Sequence, residues 1–579
     1  MSTTSSLSKA EGIKAGSRGL RGSLAEELAE DSPAFSGDST VLLKFHGVYQ
    51  QDDRDVRAER KRARQDVDHI CMVRAGVPGG TLSGEQYLAM DDLADRLGNG
   101  TLRVTTRQGI QYHFVHKGEL ADLIGALNAS LVTTLGACGD VVRNVCSCPA
   151  PLPDREAVGV AQLAKDLHRR TRPRTTAYYQ LWVDGDLAVS ASPPEEQDEP
   201  LYGPTYLPRK FKISIAWPGD NCVDAYSQDV AAVPALEGGA VVGYTVLVGG
   251  GLGKSHTDPT TYPRLASPLA FVSPEELAEV IEAVVVVQRD NGNRADREHA
   301  RLKYLIDSWG LDRFREAVEE QLGRRLAPPR DLVWESEDDH LGWHESGDGT
   351  WFLGVHVPSG RIKDTDGARY RSGIRSVVEQ VGTDVRLTAR QDVLLTGIGA
   401  DHRERVEGLL REAGIPLAED VAPLERSALA CPALPTCGLA LGEAERILPD
   451  VLTAVSTALD AAGVGDVAPH IRMTGCPNGC ARPYTAELGI VGRGKTSYDI
   501  HVGGDAAGTR MNEVFAENIP RDQIGPVLQP LLEHFREARQ PGEGLGDFVA
   551  REGVPSLRSR FGNESFVRPA RGRKAAAEN

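Results

Sequence analysis

"LRVTTRQGIQYHFV" spans Leu102–Val115, and "VRLTARQDVLLTGI" spans Val385–Ile398. Each closes a copy in which a helix-like segment lies between two strand-like ones. Each also follows a proline-glycine turn, "VPGG" at 77–80 and "VPSG" at 357–360, with Pro78 lying 29 residues before Arg107 and Pro358 lying 32 before Arg390. A second repeat runs in the same order: "YTVLVGGGLG" (Tyr244–Gly253) and "YDIHVGGDAAG" (Tyr498–Gly508) share Tyr, three residues, then Val-Gly-Gly. Glycines after a strand let backbone approach a ligand closely and supply N–H groups to anions. Two different repeats in one order predict a duplicated α/β unit with a pseudo-twofold axis and a site between the halves.

Local signals fill in some elements. "SGEQYLAMDDLADRLGNG" opens with Ser83 and Gln86 spaced as a capping box and ends on glycine, which predicts a helix. "SPEELAEVIEAVVVVQRDNG" predicts another, with Ser273 as N-cap, Pro274 in the first turn and Glu276 at the third position. "TVLLKFHGVYQ" (Thr40–Gln50) reads as a strand. Residues 1–38 form a polar extension, loosely ordered or draped over other domains, and "RPARGRKAAAEN" (568–579) is a basic tail.

The chain has 579 residues, 40% hydrophobic and 25% charged, with no apolar run long enough to span a bilayer. Its start lacks an apolar h-region, which predicts no secretory signal. Nine cysteines are too sparse for a disulfide scaffold at this length and point to a reduced, cytoplasmic setting where thiols serve metals or catalysis. A net charge of −17, from 65 basic and 82 acidic residues, argues against a general nucleic-acid binder. The basic run "RDVRAERKRARQ" (Arg54–Gln65) reads as a solvated helix face.

Four of the nine cysteines fall within 50 residues as C-x5-C (Cys431, Cys437), a gap of 38, then C-x3-C (Cys476, Cys480). Four cysteines are the usual ligand set of a [4Fe–4S] cluster, whose corners tolerate wider and less regular gaps than a single zinc ion. The alternatives are a structural zinc site and ordinary buried core cysteines. Each thiol adjoins Pro or Gly, which weighs against the core reading.

"TGCPNGC" (Thr474–Cys480) resembles the siroheme and [4Fe–4S] sulfite/nitrite reductase family. "LLKFHGVYQQDDRDVRAER", "RNV", "TYLPRKFK", "LVGGGLG" and "GEGLGDF" extend the resemblance from about residue 38 to 555, most strongly to the assimilatory sulfite reductase haemoproteins of that family. The resemblance implies an α+β fold of duplicated ferredoxin-like halves with pseudo-twofold symmetry, in a three-domain architecture with the cofactors at the junction. The boundaries that follow are a polar extension at 1–38, a first ferredoxin-like half at 39–142 and a first sirohaem-domain repeat at 143–335. A second ferredoxin-like half at 336–425, a second sirohaem-domain repeat with the cysteines at 426–560 and the tail at 561–579 complete the chain.

By the same resemblance the cofactors are siroheme and a [4Fe–4S] cluster, with Cys480 shared between cluster and haem iron. Sulfite would be contacted by Arg74, Arg143, Lys210 and Lys212, the two lysines alternating on a strand-like run so that both face one way. Arg107, Gln111, Arg209, Arg301 and Asn478 would hold the cofactors, although bacterial members of the family carry lysine at the place of Arg301. The alternative for any one of these cations is a surface salt bridge. His113 lies near the haem by analogy, or is a satisfied core histidine. Some members of the family link a cysteine near the place of Cys138 to a tyrosine, for which Tyr49 is the candidate here.

The implied reaction is the six-electron reduction of sulfite to sulfide. Nitrite reduction on the same cofactors is the alternative, which the paired lysines of "RKFK" disfavour because nitrite enzymes of the family carry asparagine at the second place. A non-catalytic zinc-stabilised binding protein is the reading from another class. No G-x-G-x-x-G unit or flavin signature appears, so the electron donor is a separate protein. "ARLKYLIDSWGLDRFR" (Ala300–Arg315) resembles the ferredoxin-dependent branch, with an NADPH-dependent flavoprotein subunit as the alternative.

Overall fold

The computed structural model describes residues 6–175, 180–183, 186–190 and 199–561. The basic tail therefore lies outside the described residues. The chain forms two compact units, Met1–Ala422 and Pro423–Asn579.

In the first unit the quoted repeats fold alike. Leu102–Val104 pairs antiparallel with Ile110–Val115, and Asp384–Leu387 with Val393–Ile398. Each hairpin turns through a glutamine in the left-handed region, Gln108 at φ 54° and Gln391 at φ 76°. One five-stranded sheet runs Val48–Asp52, His69–Ala75, Ile110–Val115, Leu102–Val104, Arg361–Ile362. The other runs Gly342–Glu345, Trp351–Val355, Val393–Ile398, Asp384–Leu387, Thr81–Leu82. The fifth strand of each sheet comes from the opposite half: the residues after "VPGG" pair with Val385 and Arg386, and those after "VPSG" pair with Leu102 and Arg103. A Cβ on Gly80 (φ 73°) would stand 2.3 Å from Leu387 O, and one on Gly360 (φ 70°) 2.4 Å from Val104 O. Both crossing points therefore demand glycine.

The helices Gly84–Leu97 and Tyr370–Val381, one from each half, share a buried carboxylate. Asp91 receives Arg371 Nε at 2.6 Å and Arg375 Nη1 at 2.8 Å. The Ser83 capping box forms as the sequence predicts, with both reciprocal bonds present.

A third sheet of the first unit runs Cys146–Ser147, Ile213–Ile215, Val230–Glu237, Ala240–Val248, Ser267–Val272, with two parallel pairings followed by two antiparallel ones. The second unit's sheet, Leu429–Ala430, Ile471–Thr474, Leu488–Gly494, Ser497–Val502, Glu513–Pro520, repeats that succession. The Tyr-x3-Val-Gly-Gly repeats fall on the fourth strand of each. The duplication read from the sequence is thus a duplication of two sheet types. Among the described residues no helix is long and apolar enough to cross a membrane.

Two local expectations change. Thr40–Gln50 is a helix (Ser39–Leu43), a 3-10 turn (Lys44–His46) and only then a strand (Val48–Asp52). Its apolar residues Leu42, Leu43 and Phe45 are buried from a helical turn, a period that so short a run cannot distinguish from a strand. The helix expected from Ser273 begins at Leu277; Glu276 still reaches back to Ser273 N at 3.0 Å, closing a turn ahead of the helix. The polar extension holds helices Lys9–Ala15 and Leu24–Ala29, and Lys14 Nζ is buried against Leu207 O at 2.7 Å. The run Arg54–Gln65 contributes a short helix, Arg57–Arg62, with no buried residue.

Candidate functional site

In the first unit, cations converge on the start of the third sheet. Lys210 and Lys212 do not lie on a regular strand: residues 208–209 bend, Phe211 makes a single parallel bridge to Val142, and the strand begins at Ile213. Lys210 is still one of the charges that act on Lys212. Burial, then Arg301, Arg107 and Lys210, push the Lys212 ammonium well below the usual lysine range, opposed by Asp229. Burial likewise lowers Arg107, with Arg143 and Arg74 acting in the same direction.

The arginines are aimed by backbone carbonyls, neutral side chains and one carboxylate. Arg107 donates from Nη1 to Gln228 Oε1 at 2.8 Å and from Nη2 to Asn144 O. Arg143 Nε donates to Gly139 O at 2.8 Å. Arg301 Nη2 lies 2.6 Å from Asp229 Oδ2, the same oxygen that accepts Lys212 N at 3.0 Å. Arg301 crosses the glycine loop, where a Cβ on Gly251 would meet its Nη1 at 2.6 Å. Gly251 thus makes room for the Arg301 guanidinium.

Arg74 Nη1 donates to Cys138 Sγ at 2.8 Å, and its guanidinium lies 5.9 Å from the centre of the Tyr49 ring. Burial and the Cys138 thiol raise the Tyr49 phenol, while Arg143, Arg74 and Arg209 oppose them. Arg209 is lowered by burial beside the Asp140–Arg297 pair, itself closed at 2.8 Å. Gln111 Nε2 is 3.4 Å from Met72 Sδ. His113 is buried 3.3 Å from Arg361 Nη1, and burial with Arg361, Arg103 and Arg74 keeps it neutral. It has the surroundings of a core histidine.

The second unit holds the four cysteines. Leu429–Ala430 runs parallel to Ile471–Thr474, so Cys431 and Cys476 leave the same sheet end. Gly475 N donates to Cys431 Sγ at 3.4 Å, and Asn478 Nδ2 to Cys476 Sγ at 3.5 Å. Burial, then Cys480, Cys437 and Cys476, push the Cys431 thiol far up; burial and Cys480 push Cys476 to about 12. Four acids that repel one another in one place are what a bound metal cluster relieves, because its positive charge favours every thiolate. Cys480 is exposed, and the other three are buried or half-buried.

Sequence reasoning missed Asp229, a buried carboxylate that sets both Arg301 and the Lys212 backbone. Only an isolated acid ahead of the apolar run "VAAVPALE" could have signalled it. It also missed Gln228 and Asn144, neutral partners of Arg107 that carry no motif.

Buried cations gathered around one carboxylate, and four convergent thiols, define a protein built to hold an anionic group and a metal cluster. The comparisons agree. The family described as "Nitrite and sulphite reductase 4Fe-4S domain" matches residues 138–326 and 469–568, and "Nitrite/Sulfite reductase ferredoxin-like half domain" matches 62–130 and 344–413. The chain is 45% identical over 554 residues to a sulfite reductase [NADPH] hemoprotein beta-component of Myxococcus xanthus, covering 95% of this chain and 97% of that one. It is 42% identical over 568 residues to a sulfite reductase [ferredoxin] of Synechococcus elongatus, covering 95% and 90%. The solved Mycobacterium tuberculosis NirA protein shares the fold, with a TM-score of 0.77, 23% identity and coverage of 95% and 97%. The chain belongs to the nitrite and sulphite reductase family.

Proposed function

We propose that this chain is the haemoprotein of a sulfite reductase, reducing sulfite to sulfide with siroheme and a [4Fe–4S] cluster and drawing electrons from a separate donor protein. The observation that carries the substrate class is the cluster of Arg74, Arg107, Arg143, Lys210, Lys212 and Arg301 in a chain of net charge −17. Burying so many like charges is costly unless an anion answers them.

The residues fit siroheme, whose rim is a ring of carboxylates. Arg107 Nε and Arg301 Nε are buried with no hydrogen-bond partner, donors of the kind that carboxylates take. In this reading Arg107, Gln111, Arg209, Arg301 and Asn478 hold the cofactors; Cys431, Cys437, Cys476 and Cys480 hold the cluster, and Cys480 is shared with the haem. When bound, these groups supply the electrons and the iron that takes sulfite. Arg74 and Arg143 orient the substrate oxygens by fixed charge, while Lys210 and Lys212 deliver protons as oxygen leaves as water. The depressed Lys212 ammonium suits that role, since it gives up its proton more readily than an exposed lysine.

The lysine pair supports sulfite over nitrite. Relative turnover of the two anions from one reduced donor tests this: sulfite is expected to be reduced to completion with the higher kcat/KM, and a clear nitrite preference would refute it. The donor is ferredoxin or an NADPH-dependent flavoprotein; the relatives' names include both types. The likeness of Ala300–Arg315 to the ferredoxin branch supports the former.

A further inference from the structure

The first unit carries a second set of metal-type ligands, apart from the cationic site and from the four cysteines. Cys148 follows the strand Cys146–Ser147, Asp220 and Cys222 flank one residue after Gly219, and His340 precedes the strand Gly342–Glu345. One ligand atom from each lies within 4.8 Å of the other three, and all four residues are buried. Cys148 Sγ is 3.7 Å from His340 Nε2, which is 3.5 Å from Asp220 Oδ2. Zinc bonds of about 2.0–2.3 Å place tetrahedral ligand atoms roughly 3.3–3.8 Å apart.

The surroundings are those of a built site. His340 Nδ1 lies 3.3 Å from Asp338 Oδ2, which places a carboxylate beside the imidazole on the side away from the other ligands. Asp220 Oδ1 accepts Cys222 N at 2.9 Å and Asp338 N at 3.1 Å, which leaves Oδ2 turned towards the other ligands. Arg155 Nη1 donates to Cys148 Sγ and, at 2.9 Å, to Asp220 Oδ2. With an ion bound, two thiolates and one carboxylate would be three buried negative charges, which the divalent ion and the Arg155 guanidinium would balance. Arg155 and Cys148 also line a cavity of about 400 Å³ with Glu156, Lys165 and Arg386, an entry path with room for the guanidinium to withdraw when an ion arrives.

We propose that Cys148, Asp220, Cys222 and His340 form a structural site for a zinc-type divalent ion, with Arg155 as an outer donor to its sulfur. Two sulfurs, one nitrogen and one oxygen in a closed, buried set suit zinc better than harder or larger ions. The ion would clamp the segment that leads into the second ferredoxin-like half to the end of the third sheet's first strand, next to the separate two-stranded sheet in which Gly219–Asp220 pairs with Trp334–Ser336.

The test uses the cofactor-loaded protein, dialysed against zinc and then freed of loose ions by gel filtration. About one zinc per chain is expected, with a zinc-edge absorption spectrum fitted by two sulfurs at about 2.3 Å and two nitrogen or oxygen atoms. Cys222→Ser should lower the zinc at least about tenfold while iron content and visible spectrum persist. Zinc below about a tenth of an equivalent in the wild type, zinc retained by C222S, or a mapped Cys148–Cys222 disulfide overturns the proposal. Should C222S fail to accumulate, the wild-type spectrum decides: an all-sulfur fit would place the zinc on the four cysteines of the other unit and overturn it.

Discussion

Gln108 donates from Nε2 to the carbonyl of Leu387 at 2.9 Å, joining residues 279 positions apart. The mirror contact, Gln391 Nε2 to Val104 O, stands at 3.5 Å. Both glutamines close a hairpin in their own half and reach the last residue of the matching strand in the other. The pseudo-twofold axis is therefore maintained by side-chain hydrogen bonds as well as by the exchanged strands.

Gln108 also donates to Ser147 O at 2.8 Å and accepts from Ser147 N at 2.9 Å. Replacing it with alanine strands three buried backbone groups, so Gln108→Ala is expected to destabilise the protein by about 2–4 kcal/mol. Urea unfolding should show a lower midpoint at unchanged slope. An unmoved midpoint would mean that water or the backbone replaces the glutamine.

Lys212→Met should leave siroheme and cluster absorbance intact and lower sulfite turnover about a hundredfold or more, the range lost with a positioned proton donor. Arg301→Ala should instead reduce haem content, since its guanidinium belongs to the cofactor's carboxylates in this account. Steady-state kinetics beside a haem assay separate the two; unchanged turnover in K212M removes that lysine from the chemistry.

His168 supplies a pH-dependent stability. Burial, with Arg172 and Arg107, lowers its folded pKa to about 4 from an ordinary 6.5. Between those values the unfolded chain binds the extra proton, so stability falls as pH drops from 6.5 towards 4 and is fully restored above 6.5. Compared with wild type, His168→Gln should lose less stability between pH 7 and pH 5, by on the order of 2 kcal/mol. Parallel unfolding curves for the two proteins across that range would contradict the neutral, buried assignment.

Tyr49 and Cys138 are the candidate pair for a covalent cysteine–tyrosine link, whose formation is a two-electron oxidation that needs an external oxidant. Arg74 touches both, its Nη1 2.8 Å from the sulfur and its guanidinium 5.9 Å from the ring centre. Peptide mapping of the native protein should recover them in one linked peptide. Two separate, unmodified peptides would dismiss the bond.

The repeats were legible because their signals are local. A Pro-Gly turn, a capped helix and a short strand-like run each sit within a few residues of sequence. The strand exchange was not, since nothing at Thr81 or Leu82 names Arg386 or Val385 as the partner. At the site, the cysteines and "RKFK" stood out by spacing and charge. Asp229 did not, because one buried acid has no pattern, and Cys148, Asp220, Cys222 and His340 come from three distant segments. The run Ala300–Arg315, noted for its bearing on the donor, buries Leu302, Tyr304, Leu305, Ile306 and Phe314, so most of it builds the interior beside Arg301.

The central claim is that Cys431, Cys437, Cys476 and Cys480 hold an iron–sulfur cluster joined through Cys480 to siroheme iron. Visible absorption and iron analysis of the protein, produced with ample tetrapyrrole and iron supply, test it most directly. The account predicts a coloured haemoprotein with about five irons per chain, and loss of both colour and iron in Cys480→Ser. A colourless, iron-free wild-type protein would contradict it.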